Sequence, residues 1–268
     1  MTRGRLLLDT LLEPGAITVV FQPIFECRGR ARTLYALECL IRGPKGTNME
    51  DPEVLLEYVR RKREEARMDR VCIGTALRTA ALLPRRPRLC VNVHASTLGR
   101  DPEFVDFLTT TAALNRIALA ELTVEIVEHA PPWDGPGFLH TLEALRERGV
   151  RIALDDVGLG QSNYKMILDA RPEYFKIDRY FVQGAHADRH RQAVLESISQ
   201  LALRFGGRVV AEGVEAEADY LAVTAHGIDL IQGFLFSPAL TPLALAEKDL
   251  LGGAFPPLPS AEPLPTGQ

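Results

Sequence analysis

The sequence predicts one α/β domain built as a modified (β/α)₈ barrel. Short apolar runs alternate with amphipathic helical segments along most of the 268 residues. About eight such runs can be counted, which fits a closed barrel better than an open sheet. Acidic residues also close several of these runs, at Glu128, Asp156 and Glu215. Barrels of this type carry their chemistry at the carboxyl ends of their strands, so these acids point to one shared site.

The predicted strands are apolar runs bounded by turn residues. They span residues 17–26, 33–41, 89–92, 122–126, 151–154, 174–177, 208–211 and 230–232. The first two are joined by residues 27–32, a connection too short for a parallel crossover. We therefore expect these two strands to pair antiparallel, and helices to fill most of the later gaps.

The longest helical segment, residues 52–83, is charged on one side. Its basic run from Arg60 to Arg63 is open to two interpretations, a site for a polyanion or a solvated helix face. Glu64 and Glu65 follow directly and favour the solvated face, because acids interleaved with bases form local ion pairs on a helix.

Composition sets the domain boundary. Residues 1–250 carry the strand and helix pattern, and from residue 251 the chain turns to Gly, Pro and small residues. We expect residues 251–268 to be a disordered and dispensable tail. The barrel occupies nearly the whole chain, so we expect any input signal to come from a separate regulatory protein.

The charge excludes several partner classes. A net charge of −4 gives no electrostatic basis for binding long nucleic acid or an anionic membrane surface, although a small phosphate ligand remains compatible with it. No apolar stretch reaches the roughly 20 residues of a membrane span, and no signal peptide opens the chain, which predicts a cytoplasmic protein.

The spacing of the cysteines predicts small buried thiols rather than zinc ligands or disulfides. They are Cys27, Cys39, Cys72 and Cys90.

Side chains with oxygen ligands stand in or at the ends of successive predicted strands. Singly, each acid has an ordinary explanation as a helix N-cap, an ion-pair partner or a rim charge. Together they imply a compensating cation, because carboxylates are costly to leave beside a core. Oxygen ligands without a Cys or His cluster suit Mg²⁺ or Mn²⁺. The candidates are Glu38, Asn92, Glu125, Glu128, Asp155, Asp156 and Glu212, with Lys176 closing an apolar run beside them.

Two neighbouring aspartates, Asp155 and Asp156, are the most specific part of this pattern. Consecutive strand residues point to opposite faces, so both can reach one site only where the strand ends and turns, as Gly158 and Gly160 permit. Lys176 is unusual as a buried structural residue but is suited to lie beside an anionic substrate or a metal-bound hydroxide.

The ordered motifs also resemble the EAL domain family of cyclic di-GMP phosphodiesterases. Cys39 replaces the alanine of the family's Glu-Ala-Leu signature, and the resemblance runs from about residue 21 to residue 240. The matching segments are Phe21-Gln22-Pro23-Ile24, Glu38-Cys39-Leu40-Ile41-Arg42, Val91-Asn92-Val93, Glu125-Ile126-Val127-Glu128, Asp155-Asp156, Lys176-Ile177-Asp178, Ala211-Glu212-Gly213-Val214-Glu215 and Gln232-Gly233-Phe234.

The resemblance implies a barrel with one antiparallel strand and hydrolysis of cyclic di-GMP to linear pGpG with two divalent cations, Mg²⁺ or Mn²⁺. By this resemblance Asp155 bridges the two cations, and Lys176 steadies the attacking water and the phosphate. The same resemblance implies one cation on Glu38, Asn92, Glu125 and Asp155, and the second on Asp155, Asp156 and Glu212.

Further roles follow from the same resemblance. Gln22, Arg42 and Gln232 occupy the positions of substrate contacts, with an ordinary rim residue as the alternative for each. Glu128 and Glu215 are expected to hold the loop after the fifth strand. The family further implies a homodimer through that loop and the helix after it.

The chain departs from the family in that loop, where it carries Val157, Leu159, Gln161 and Asn163 in place of Phe, Thr or Ser, Tyr and Ser. A cyclic di-GMP receptor or protein-interaction module with weak catalysis is therefore an alternative function. A different barrel phosphodiesterase, such as one acting on glycerophosphodiesters, is disfavoured because no paired histidine motif precedes Glu38. His94, two positions after Asn92, stands where the family has a small hydroxyl residue. The sequence favours core or rim packing for it, and a side chain directed at the same mouth as Asn92 is the alternative.

Overall fold

The eight strands close into one barrel in chain order, from β1 to β8. The computed structural model describes residues 8–29, 31–85, 87–127, 135–159, 164–252 and 255. Strand β1 is antiparallel to both of its neighbours, β2 and β8, and every other neighbouring pair is parallel. The strands are β1 Thr18–Arg28, β2 Ala31–Arg42, β3 Arg88–His94, β4 Leu122–Val127, β5 Arg151–Val157, β6 Tyr174–Ile177, β7 Arg208–Ala211 and β8 Leu230–Ile231. The predicted modified (β/α)₈ barrel with an antiparallel first strand is confirmed.

Helices connect the parallel strands and cover the outside of the barrel. They are α1 Pro52–Lys62, α2 Glu65–Ala80, α3 Ala95–Arg100, α4 Phe104–Leu114, α5 Gly135–Glu147, α6 Tyr164–Ala170, α7 Arg179–Val182, α8 Arg189–Arg204, α9 Glu217–Ala225 and α10 Pro242–Glu247. Short 3₁₀ turns occur at Asn48–Glu50, Leu119–Glu121 and Ala185–Ala187. Among the described residues, no helix is both long and apolar enough to cross a bilayer.

The predicted helical segment 52–83 is two helices, because the chain turns sharply at Arg63. The side chain of Asp51 caps the start of α1 by accepting a hydrogen bond from the Glu53 amide. Arg63 ends the helix in the left-handed conformation, with φ of 57°, and its amide donates back to the last turn. The basic run around this turn pairs with Glu57 on the exposed side, as expected for a solvated face.

The core lies between the outer face of the strands and the inner faces of the helices. Helix α2 shows the pattern, since its residues at positions 73, 76, 77 and 80 are buried against the barrel. All four cysteines are buried and free, as the sequence predicted. The amino-terminal end of the barrel is closed by Tyr35 and Tyr174, whose hydroxyl groups lie 2.5 Å apart.

The carboxyl-terminal segment is described only in part. Phe255 packs edge-on against Phe25, with ring centroids 5.1 Å apart, and the guanidinium of Arg32 lies 5.1 Å from the Phe255 centroid. Phe255 falls within the segment that the sequence predicts to be disordered, and its ring belongs to the periphery of the core. The residues after Phe255 lie outside the described part of the chain.

Candidate metal centre

Side chains from three neighbouring strands bring oxygen ligands to the inside of the barrel. Glu38 on β2 lies beside β3, and Asn92 on β3 is in register with Glu125 on β4. Partners in register on parallel strands share a face, so Asn92 and Glu125 both point inward. The Asn92 amide Nδ2 donates to Glu38 Oε1 at 3.1 Å, which joins the three strands at one level.

A β-bulge in β5 delivers both neighbouring aspartates to this end of the barrel. Leu154 pairs with Phe175 and Val157 pairs with Ile177, so Asp155 and Asp156 together oppose the single residue between those partners on β6. Asp156 takes the left-handed conformation, with φ of 50°, which the extra residue of a bulge allows. The aspartates therefore converge through a bulge inside the strand, which continues to Val157, and the strand does not end at residue 154 as predicted.

Lys176 lies at the centre of the acidic cluster. Its Nζ is 2.8 Å from Glu212, 3.0 Å from Glu125, 3.0 Å from Asp155 and 3.4 Å from Glu38. The lysine side chain is 1% exposed, so this ammonium group is removed from water and surrounded by carboxylate oxygens. One positive charge compensates only part of the negative charge that four carboxylates carry.

Burial and mutual repulsion raise the pKa of several of these acids. Burial raises the pKa of Glu125 to about 8, although the charge of Lys176 opposes the rise. Burial also raises the pKa of Asp156 to about 6, with the charge of Asp155 adding to the effect. Burial also raises the pKa of Glu212 well above its usual value. The positive charge of Lys176 is therefore too small to keep all of these carboxylates ionised.

The pKa values of Glu38 and Lys176 are shifted in the directions that favour their charged forms. Burial alone would raise the pKa of Glu38, but the Lys176 charge and hydrogen bonds from Gln232 and Asn92 hold it below its usual range. Burial alone would lower the pKa of Lys176, but the four surrounding carboxylates raise it well above its usual value. The surrounding carboxylates therefore favour the ammonium form of Lys176.

The donor set fits hard divalent cations. Carboxylate oxygens of Asp155, Asp156 and Glu212 all lie within 4.8 Å of one another. Asn92 Oδ1 is buried and accepts no hydrogen bond from the described residues, so a neutral oxygen ligand is held ready beside Glu38. Carboxylate and amide oxygens are the ligands that Mg²⁺ and Mn²⁺ prefer in proteins.

A cleft of about 830 Å³ opens beside the cluster, between the barrel mouth and helices α1 and α2. Arg42, Asn92, Asp155 and Asp156 line it. Arg42 is a predicted substrate contact, and its guanidinium donates at 2.7 Å to the Ile41 carbonyl oxygen.

The other two predicted substrate contacts lie next to Glu38. Gln22 is partly buried and pairs with Glu38 across β1 and β2, so both side chains occupy the same face of the hairpin. Gln232 is buried, and its Nε2 donates to Glu38 Oε2 at 2.6 Å. In this structure Gln232 therefore orients a cluster carboxylate.

The two acids predicted to hold the loop after β5 are not seen in that role. Glu128 lies outside the described residues, as do Gln161 and Asn163 of the loop itself. Glu215 is described and exposed. Both loop roles stay predictions.

Sequence reasoning missed one buried acid beside the cleft, Asp69 on helix α2. It accepts hydrogen bonds from the His94 amide at 3.0 Å and from His94 Nδ1 at 2.7 Å. Thr97 Oγ1 donates to it as well, at 2.5 Å. The signal in the sequence is an acid next to Met68 on the apolar stripe of a helix, where a charged residue is costly without partners.

Comparison with known proteins places this geometry in context. The family model described as "EAL domain" matches residues 7–239 of the chain. The cyclic di-GMP phosphodiesterase NbdA of Pseudomonas aeruginosa is 33% identical over 178 residues, which cover 65% of this chain and 22% of that protein. The probable cyclic di-GMP phosphodiesterase PdeG of Escherichia coli is 28% identical over 248 residues, covering 90% of this chain and 48% of PdeG. The chain thus spans less than half the length of either relative.

A solved structure shows the same architecture with its ligands. The manganese and cyclic di-GMP complex of Klebsiella pneumoniae BlrP1 superposes with a TM-score of 0.74 at 27% identity, over 86% of this chain and 57% of that one.

Proposed function

The chain belongs to the EAL domain family, and on that premise we propose that it hydrolyses cyclic di-GMP to linear pGpG with two divalent cations. The observation that carries the proposal is the buried cluster around Lys176. Four carboxylates contact one ammonium group, and the amide oxygen of Asn92, which accepts no hydrogen bond from the described residues, lies at the same level. A cluster of this composition matches the donor set of a metal-dependent phosphodiesterase.

We assign the metal ligands by the family pattern. Glu38, Asn92, Glu125 and Asp155 would hold one Mg²⁺ or Mn²⁺. Asp155, Asp156 and Glu212 would hold the other. The proximity of Asp155, Asp156 and Glu212 oxygens supports the second set.

The chain's own residues then have distinct tasks. Bound cations supply the charge that acidifies a water molecule and stabilises the phosphoryl oxygens. Asp155 and Glu212 orient the reacting groups from two strands. Lys176 donates hydrogen bonds toward the attacking water and the phosphate. Arg42 at the rim presents a forked donor suited to a phosphate, and Gln22 and Gln232 complete the substrate contacts.

The test is incubation of the purified protein with cyclic di-GMP and either Mg²⁺ or Mn²⁺, with and without chelator, followed by chromatography. We expect pGpG to form, and chelator to stop its formation. Glu38→Gln removes one ligand charge and is expected to abolish turnover. Glu196→Gln changes an exposed glutamate on α8 and is the matched control, expected to keep full turnover. Turnover by Glu38→Gln at the wild-type rate would refute the assignment.

An alternative function is a cyclic di-GMP receptor or protein-interaction module with weak catalysis. The altered loop after β5 favours it, since Val157 and Leu159 stand where the family carries Phe and Thr or Ser. In this chain Val157 is a buried core residue in register with Ile177. Tight binding of cyclic di-GMP without any cleavage in Mg²⁺ or Mn²⁺ would decide for the receptor.

We also propose a homodimer through the loop and helix that follow β5. The supporting observation is the exposed face of α6, on which Tyr164 and Leu168 are 75% and 63% exposed. Residues four apart lie on the same side of a helix, so these two side chains form one apolar patch.

A further inference from the structure

A buried histidine, His94, ends strand β3 and lines the same cleft as the carboxylates. It follows Asn92 by two residues, and strand residues two apart share a face. His94 therefore stands one level beyond Asn92, toward the mouth of the barrel. Its side chain is buried and lines the cleft at the barrel mouth, the position that the sequence left as the alternative to core or rim packing.

Asp69 fixes the orientation of this imidazole ring. Its carboxylate accepts from His94 Nδ1 at 2.7 Å and from the His94 amide at 3.0 Å. The contact turns the Nδ1 edge of the ring toward Asp69 and the rest of the ring away from it. Two contacts to one rigid acid hold both the backbone and the ring at the end of β3.

The arrangement goes beyond capping of the next helix. His94 is the N-cap residue of α3, but its side chain makes no capping hydrogen bond. Asp69 instead binds the amide at that position and the hydroxyl of Thr97 in the first turn. Asp69 thus holds the start of α3 through the His94 amide and the Thr97 hydroxyl.

The wall of the cleft beside His94 is largely apolar. Cys72, Ile73 and Ala76 line it from α2, at the spacing of one helix face, and Val91 lines it from β3. These residues form an apolar patch within a cleft that charged residues also line, and an apolar patch of this kind suits the face of a flat ligand ring. Asp69 is the acid in contact with His94, and its charge disfavours a phosphate directly beside this ring.

We propose that His94, oriented by Asp69, contacts a purine base of the bound dinucleotide and determines specificity for it. The inference rests on the proposed function. It places the phosphates at the cations and Arg42, and one base in the cleft beside α2. His94 is then a substrate-binding residue, and Asp69 is a positioning residue that acts through it.

The test compares two substrates in the presence of Mn²⁺. One is cyclic di-GMP, and the other is bis(p-nitrophenyl) phosphate, a phosphodiester without a base. For His94→Ala we expect the KM for cyclic di-GMP to rise about tenfold with kcat within about twofold of wild type, the effect of one lost ligand hydrogen bond. The kcat/KM for the baseless diester is expected to stay within about twofold of wild type.

Two further variants separate positioning from stability. Asp69→Asn is expected to raise the same KM, and to raise it no further when combined with His94→Ala, because both changes remove one contact. Thr97→Val removes the other side chain that donates to Asp69 and is the structural control. It is expected to lower the thermal midpoint while leaving both substrates' kinetics unchanged.

Three results would overturn the inference. An unchanged KM for cyclic di-GMP in His94→Ala, or an equal loss on both substrates, would refute a base contact while leaving the proposed hydrolysis in place. Wild-type protein that neither cleaves nor binds cyclic di-GMP, with Ca²⁺ or Mn²⁺ present, would overturn the inference together with the proposed function.

Discussion

Lys176 Nζ lies 3.0 Å from Glu125 Oε2 inside the barrel, and both side chains are 1% exposed. The pair is part of a larger cluster in which carboxylates outnumber the lysine. Burial raises the pKa of Glu125 to about 8 despite this lysine. The ion pair is therefore under-compensated, and added positive charge is expected to stabilise the ionised acids.

Lys176→Met is expected to separate catalysis from metal binding. Removing the ammonium group leaves the carboxylates in place, so we expect Mn²⁺ affinity at least equal to that of the wild type. Turnover of cyclic di-GMP is expected to fall at least about 100-fold, because the donor aimed at the reacting phosphate is lost. Calorimetric titration with Mn²⁺ and a turnover assay measure the two effects. Lys248→Met, at an exposed position after α10, is the control. Wild-type turnover in Lys176→Met would contradict the role given to this lysine.

Asp156 offers a test in which ligand charge and backbone strain can be separated. It has φ of 50°, a conformation that Asn adopts readily and Ala does not. Asp156→Asn and Asp156→Ala should both lower Mn²⁺ affinity at least about tenfold. Only Asp156→Ala should lose about a further 1 kcal/mol in urea unfolding. Equal stability of the two variants would mean that the bulge tolerates any residue, and wild-type Mn²⁺ affinity in Asp156→Asn would remove Asp156 from the ligand set.

The strand positions were predictable because each strand is a short apolar run between turn residues. The predicted ranges 174–177 and 208–211 coincide with β6 and β7. The continuation of β5 through Asp155 and Asp156 was not predictable, since a bulge depends on how two strands pair and not on local sequence. The break at Arg63 was missed for a related reason, because a left-handed residue without Gly or Asn gives no local signal.

The candidate site was predictable as a set of residues but not as a network. The order of acids along the chain suggested a shared mouth, and the structure brings Glu38, Glu125, Asp155 and Glu212 around Lys176. Asp69 was missed because its partner His94 lies 25 residues away on another element. Long-range pairs of this kind follow from the closed barrel, which sequence spacing alone does not resolve.

Asp219 lies outside the proposed metal centre, and its carboxyl group is expected to make the free energy of unfolding depend on pH. Burial alone would raise its pKa, but hydrogen bonds from the His186 side chain and the Gly184 and His186 backbone hold it below the usual value. A carboxyl whose folded-state pKa is lowered stabilises the protein above its unfolded pKa, near 3.9, and the contribution disappears as the pH falls through the folded value. Asp219→Asn should therefore be about 1 kcal/mol less stable at pH 6, with the difference shrinking below about pH 4. Urea unfolding of both proteins across pH 3–6 measures this. A constant difference would assign the effect to hydrogen-bond geometry and not to charge.

Phe255 predicts where the chain can be shortened. Its ring packs on Phe25 and lies next to the Arg32 guanidinium. A chain ending at Gly252 loses both contacts and is expected to be about 1–2 kcal/mol less stable. A chain ending at Phe255 keeps them and is expected to match the full-length protein, consistent with a dispensable tail beyond that residue. Thermal unfolding of the two truncations decides the point, and equal midpoints would show that the aromatic contacts contribute nothing.

The apolar patch of Tyr164 and Leu168 predicts the association state. Both side chains project from α6, the helix that follows β5 with its Asp155 and Asp156, so a second copy docked there would lie close in sequence to two proposed metal ligands. Leu168→Glu places a charge in the patch and is expected to convert a wild-type dimer to a monomer and to lower turnover, because burying an unpaired carboxylate is costly. Leu243→Glu changes a side chain of similar exposure on α10 and should leave the dimer intact. Light scattering across micromolar concentrations measures the mass of each protein. A monomeric wild type would refute the dimer, and a dimer that survives Leu168→Glu would move the interface away from α6.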